Sequence, residues 1–173
     1  MIVIRVGKMR HYSKRFSKVY ALTIVGMLGM MSCSDDDSPI QAPDSAVNKA
    51  LALIPGTVVD SEPETEEGIA AWKVEIRTDQ GAEVEVYCRQ DNGALLRIDG
   101  ESDPFDYNID PGNSLVDFDQ AKAIGSGVTS EDLVEWRLRI EDKYNNIWVY
   151  RLEYAQSTVF ISAVDGSVLE VEN

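Results

Sequence analysis

Carboxylates are the only plentiful reactive side chains in this 173-residue sequence, with 30 Asp and Glu against 16 Lys and Arg. Their sharpest grouping is "DYNID", which sets Asp106, Asn108 and Asp110 at i, i+2 and i+4, with Asp117 eleven residues after Asp106. Oxygen donors at that spacing suit a calcium loop. The sixth position is Pro111, however, the glycine comes one later at Gly112, and no helix signal precedes the run. A turn-rich acidic linker is the alternative, and calcium is the one cofactor these residues could hold. A hydrolytic carboxylate pair needs a fixed separation and one raised pKa, and nothing in the spacing selects such a pair. The single histidine is His11, and none follows it. Beyond it, Ser-His-Asp and Cys-His nucleophile pairs and imidazole metal sites are therefore excluded. Gly125-Ser126-Gly127 is too short for a phosphate loop. The expectation is a protein that is not an enzyme.

Two cysteines remain, Cys33 and Cys88. In an exported protein they could form one disulfide. Cys88 lies on the apolar side of an alternating stretch with no cationic neighbour on that side, the pattern of a buried thiol. The first 32 residues hold six of the 16 basic residues, no acidic ones and all five Met. A basic stretch followed by the apolar run Val19 to Met31 has the order of a secretory signal. Thirteen residues are too few to span a bilayer, which takes about 20 in a helix. The signal is expected to be cleaved.

Met30-Met31-Ser32-Cys33 resembles the lipobox of bacterial lipoproteins, in which the cysteine is lipidated and becomes the mature N-terminus. Met31 departs from the small residue usual there; Ser32-Cys33 is intact. The resemblance implies that Cys33 carries a lipid and that the membrane is one partner. "SDDDSPIQAPD" then reads as an acidic disordered tether. Ser34-Asp35-Asp36-Asp37 is similar to the acidic export tag of some surface-exposed lipoproteins. Ser34, rather than Asp, directly after the cysteine points to the outer membrane over the inner. From Cys33 on, 10 basic residues face 30 acidic ones, a formal charge of −20. That charge repels nucleic acid and anionic lipid and leaves cations and basic partners open.

Internal repetition organises the remainder. "DSAVNKALALIPG" predicts a short helix with Asp44 as N-cap, a stripe of Val47, Ala50, Leu51 and Ile54, and Pro55-Gly56 as its stop. "DFDQAKAIGSG" predicts a second, with Asp117 and Gln120 as a capping box, a Phe118, Ala121, Ile124 stripe and Gly125 as its stop. Alternating strands follow each helix. Trp72, Val74 and Ile76 oppose Lys73, Glu75 and Arg77, and Val84, Val86 and Cys88 oppose Glu83, Glu85 and Tyr87. Asp91-Asn92-Gly93 turns the chain into "ALLRI". The second half alternates Val134, Trp136, Leu138 and Ile140, then Trp148, Tyr150, Leu152 and Tyr154, and turns at Asp165-Gly166. The fold class is α+β: two tandem repeats, each a short helix packed on a four-stranded antiparallel sheet.

"AWKVEIRTDQGAEVEVYCRQDNGALLRI" resembles a PepSY domain, whose core runs aromatic-x-V-x-[IVL], a turn, x-[VYF]-x-V, an Asp/Asn-Gly turn and a closing apolar strand. "IWVYRLEYAQSTVFISAVDGSVLEV" is similar to the same pattern. On this reading residues 1–32 are the signal, 33–43 the tether, 44–100 the first repeat, 101–113 an acidic linker and 114–173 the second repeat. "SEPETEEG" is an insert between the first two strands of the first repeat, and a Gly-Ser-Gly helix exit replaces Pro-Gly in the second.

The resemblance implies a lipid-anchored, noncatalytic envelope module that binds or inhibits a peptidase or another envelope protein, by fold-level analogy. A partner strand added to an exposed sheet edge is one route. The alternatives are an accessory subunit of an envelope complex and a surface protein binding a glycan or small ligand through Trp72, Trp136 and Trp148. Core packing is the other reading of those three tryptophans. Edge binding predicts an unpaired strand free of Pro, a glycan site exposed aromatics on one face, and an accessory role a large apolar patch.

Overall fold

The computed structural model describes residues 43–173 apart from 102 and 113. The signal, Cys33 and the tether before residue 43 lie outside the described residues. The elements run α1 (Asp44–Leu53), β1 (Thr57–Glu66), β2 (Ile69–Arg77), β3 (Glu83–Arg89), β4 (Leu95–Gly100), α2 (Phe118–Val128), β5 (Leu133–Glu141), β6 (Ile147–Tyr154), β7 (Thr158–Ser162) and β8 (Val168–Glu172). A 3-10 turn, Asp142–Tyr144, joins β5 to β6. The strands form one antiparallel sheet in sequence order, with β4 paired directly to β5. The fold is α+β with two helices on one face of an eight-stranded sheet. The second half repeats the element order of the first, and Gly93 and Gly166 both take positive φ and donate to the carbonyl four residues back.

Both helices are too short to persist alone and depend on packing. Pro43, not Asp44, caps α1; Asp44 is its first residue, well placed for the positive end of the helix dipole. Ala46, Ala50 and Ile54 are buried against the sheet. Asp117 caps α2 as expected, its carboxylate accepting from the Gln120 N–H at 2.8 Å. Gly125 does not stop α2, which continues to Val128. It faces the sheet, where a Cβ would stand 2.2 Å from the Tyr154 hydroxyl oxygen and 2.7 Å from Leu152 Cδ1. The glycine is there for close approach to β6.

The stretch expected to be an insert is a strand. Ser61 to Glu66 pair with β2 down to Glu66 opposite Ile69, and Glu67-Gly68 closes the hairpin with positive φ at both residues. Sequence alternation hid this because β1 is an edge strand with almost no buried residue to mark its period. A second correction concerns β5. Val134 is 53 % and Ile140 43 % exposed, while Trp136 and Leu138 between them are fully buried. A register shift between Leu133 and Glu135 puts Leu133, not Val134, against the core.

The core is continuous across the β4–β5 seam and centres on Trp136. Its ring stacks on Phe118 of α2 at 4.1 Å, and its indole N–H donates to the Tyr107 hydroxyl at 2.9 Å. Tyr107 in turn stacks on Phe118 at 5.5 Å. Gly100, opposite Trp136 on β4, lies directly under this cluster: a Cβ there would come 1.9 Å from the indole nitrogen. Gly100→Ala is therefore expected to lower stability by about 3 kcal/mol or more, the upper range for forced overpacking. A denaturant midpoint close to that of the parent chain would contradict this packing.

Candidate functional site

The four calcium candidates are not brought together. Residues 105 to 111 run as an extended segment in which Tyr107, Ile109 and Pro111 are buried and Asp106, Asn108 and Asp110 point to solvent. The i, i+2, i+4 spacing is thus the outward half of a strand-like alternation. The Asn108 side-chain oxygen accepts from Asp119 N–H at 3.0 Å, the Asp110 carboxylate from Gly112 N–H at 2.9 Å, and Asp117 caps α2. Among the described residues no three His, Cys, Asp or Glu side chains cluster as a metal site. Cys88 is a free thiol, fully buried, and burial pushes its pKa up. Trp136 is core, while Trp72 and Trp148 are partly buried against it. The large apolar side chains most exposed among the described residues are Val59, Val128, Val134, Ile140, Val164, Val168 and Val171, and none of them is aromatic.

The face of the sheet away from the helices carries a charge lattice. One cross-strand row reads Asp60, Glu75, Glu85, Asp99, Arg137, Arg151, acidic through β4 and basic from β5. Asp99, 2 % exposed, bridges the change of sign through Arg137 at 2.8 Å and Arg97 at 3.0 Å. The next row sets Arg97 directly opposite Arg139, a repulsive pairing on adjacent strands. The tip of the β1–β2 hairpin neutralises both. Glu66 meets Arg97 at 2.6 Å and Glu67 meets Arg139 at 2.7 Å. Arg97 also stacks over the Tyr87 ring at 3.8 Å, which buries Tyr87 on this polar face. Nearer β8, Lys143 and Tyr144 of the 3-10 turn both hold Glu170 and cover Phe160.

The two edges of the sheet differ. β1 contains Pro63, a register shift between Val58 and Asp60, and the acids Asp60, Glu62, Glu64 and Glu66. Proline lacks a donor, and bulges and edge charges block further pairing. β8 has no proline and pairs only with β7 among the described residues. Opposite the core residues Ile161 and Val159 it presents Val168 and Val171, 42 % and 41 % exposed. Among the described residues one side of its backbone is unpaired, beside a small apolar strip. Among the described residues no helix is long and apolar enough to cross a membrane.

Burial and crowding of carboxylates on this face have a pH signature. Burial together with neighbouring carboxylates raises the pKa of Glu75, Glu101 and Glu135. Their folded pKa exceeds the unfolded value, so the folded state binds more protons in that window and stability falls as pH rises through it. Glu75→Gln is expected to raise stability at pH 7 by up to about 1 kcal/mol. The gain should fade below the ordinary carboxyl value of 4.5. Melting curves at pH 7 and pH 4 check this, and a gain equal at both would exclude charge repulsion as its cause.

Residues 40–99 match the family model described as "PepSY: Peptidase propeptide and YPEB domain". A crystal structure from Clostridium difficile 630, described as a "putative lipoprotein" (CD1622), is 19 % identical and covers 79 % of this chain and 95 % of its own, with a TM-score of 0.35. That score is too low for the likeness to bear on fold or function. No curated protein matches the chain. The PepSY match ends at Asp99, within β4, so β5 to β8 lie beyond it. The matched residues span helix α1, strands β1 to β3 and most of β4, about a third of the chain.

Proposed function

We propose that this chain is a noncatalytic binding module, held at the cell envelope by a lipid on Cys33, that binds and restrains a peptidase or another envelope protein. The observation that carries the reading is the contrast between the sheet's two edges. β1 is blocked by Pro63, a bulge and four acids, whereas β8 is open and flanked by exposed Val168 and Val171. A partner segment in extended conformation can add to such an edge through main-chain hydrogen bonds, with side-chain pockets supplying selectivity. Glu170, held on the outer face by Lys143 and Tyr144, fixes β8 in place for that pairing. The name of the matched family, with its peptidase propeptides, supports a peptidase as partner by analogy. A glycan platform finds less support, because the most exposed large apolar side chains among the described residues are valines and one isoleucine, none aromatic.

Two experiments test this reading. The full chain, immobilised in detergent, is expected to capture an envelope protein, and Val171→Lys should reduce capture at least about tenfold, since an edge lysine opposes strand addition. Its melting temperature should stay near that of the parent chain because Val171 is exposed. Capture unchanged by Val171→Lys would exclude the β8 edge. For the anchor, the expressed protein should partition into the detergent-rich phase of a cloud-point separation, and Cys33→Ser should move it to the aqueous phase. Equal partitioning of the two would overturn lipidation.

A further inference from the structure

On the helix face of the sheet a cleft of about 300 Å³ opens between the two halves of the molecule, with no residue of β8 in its walls. Its walls are Leu53 of α1, Leu95 at the start of β4, Pro111 and Leu115 of the connection to α2, and Trp148 of β6. Leu53, Leu95, Leu115 and Trp148 are only partly buried, packed on the core yet open on the cleft side. Lys49 of α1 supplies the charge.

Lys49 is unusual in this chain. Each of the other nine basic residues between 43 and 173 has a carboxylate within ion-pairing distance: Lys73, Arg77, Arg89, Arg97, Lys122, Arg137, Arg139, Lys143 and Arg151. Lys49 has none among the described residues, although from Cys33 on acids outnumber bases three to one. Among the described residues no carboxylate lines the cleft, and neighbouring Asp110 turns its own onto Gly112 N–H. An uncompensated cation beside apolar walls is the complement of an anion with an apolar body.

We infer that this cleft binds the C-terminal residue of a peptide, its free carboxylate on the Lys49 ammonium and an apolar side chain against Trp148, Leu53 and Leu115. The volume is at the floor of ligand pockets, about 300–1,000 Å³. That leaves room for one residue and excludes a long acyl chain. The site lies where α1 and β4 meet the α2 connection and β6, a junction of the kind pockets favour. The inference deepens the peptide-partner reading but uses a different surface.

Calorimetric titration of the full chain in detergent with the peptide acetyl-Gly-Ser-Leu, as free acid and as C-terminal amide, tests it. The acid should bind saturably and the amide at least about tenfold more weakly, the loss expected for one charge-assisted contact. Lys49→Gln should weaken the acid by a similar factor, and Lys49→Arg should restore most of it. Because Lys49 is exposed, these variants should fold normally. Val171→Lys should leave the titration unchanged, so failure of the β8 edge and failure of this cleft are separate results. Equal binding of acid and amide, no effect of Lys49→Gln, or binding of octanoate but not of the peptide would each overturn the inference.

Discussion

The packing of Trp136 over Gly100 is the constraint on which the rest of the structure depends. A glycine at this point of β4 is what lets the indole lie flat across the seam, where even one added carbon would collide with it. Once there, the ring reaches Phe118 on α2, Tyr107 in the connection and Tyr150 on β6. The cluster also fixes the course of the chain from β4 to α2. The Tyr150 hydroxyl donates to the Val116 carbonyl, and Phe118 N–H donates to the Ile109 carbonyl. Aromatic pairs of this kind add roughly 0.5–1.5 kcal/mol each beyond burial. The connection and the second half supply the aromatic rings, β4 supplies Gly100 beneath them, and one core cluster runs through both halves.

The opposite face carries the same seam in charge. The acidic strands of the first half and the arginines of the second would each be repulsive by themselves, as Glu75 opposite Glu85 and Arg137 opposite Arg151 show. Placed side by side they compensate, with Asp99 shared between Arg97 and Arg137. A buried ion pair is weak evidence of net stability but strong evidence of register, because breaking it leaves a desolvated charge. The β1–β2 hairpin completes the arrangement by carrying Glu66 and Glu67 onto the seam arginines. Its acidic sequence, with hardly any apolar residue to bury, makes sense as an edge strand and electrostatic strap.

Much of this was legible in the sequence, and the gaps have physical causes. Alternation located β2, β3, β5 and β6 because buried residues recur in them with a period near two, and Asp117 announced the start of α2. The latter part of β1, Ser61 to Glu66, reads as an insert because an edge strand with both faces exposed has no period to read. Gly125 reads as helix punctuation and Gly100 carries no signal, since sequence shows that a residue is small but not what approaches it. The acidic spacing of residues 106 to 110 admits two readings for a related reason. Alternate acids on an extended segment and alternate ligands in a metal loop have the same pattern in one dimension. Neither the open edge of β8 nor the isolation of Lys49 could be read at all, because both depend on what other strands and carboxylates do in space.

If the β4–β5 seam holds the molecule together, the eight strands must open as one cooperative unit. Native-state hydrogen exchange tests this most directly, since amides that open together share one free energy. The paired amides of β3 to β6 should exchange with a single opening free energy equal to that of global unfolding, with no boundary at Gly100. If the amides of residues 69–100 instead opened at a free energy clearly different from those of residues 133–162, the halves would be independent domains, and a core shared through Trp136 would be contradicted.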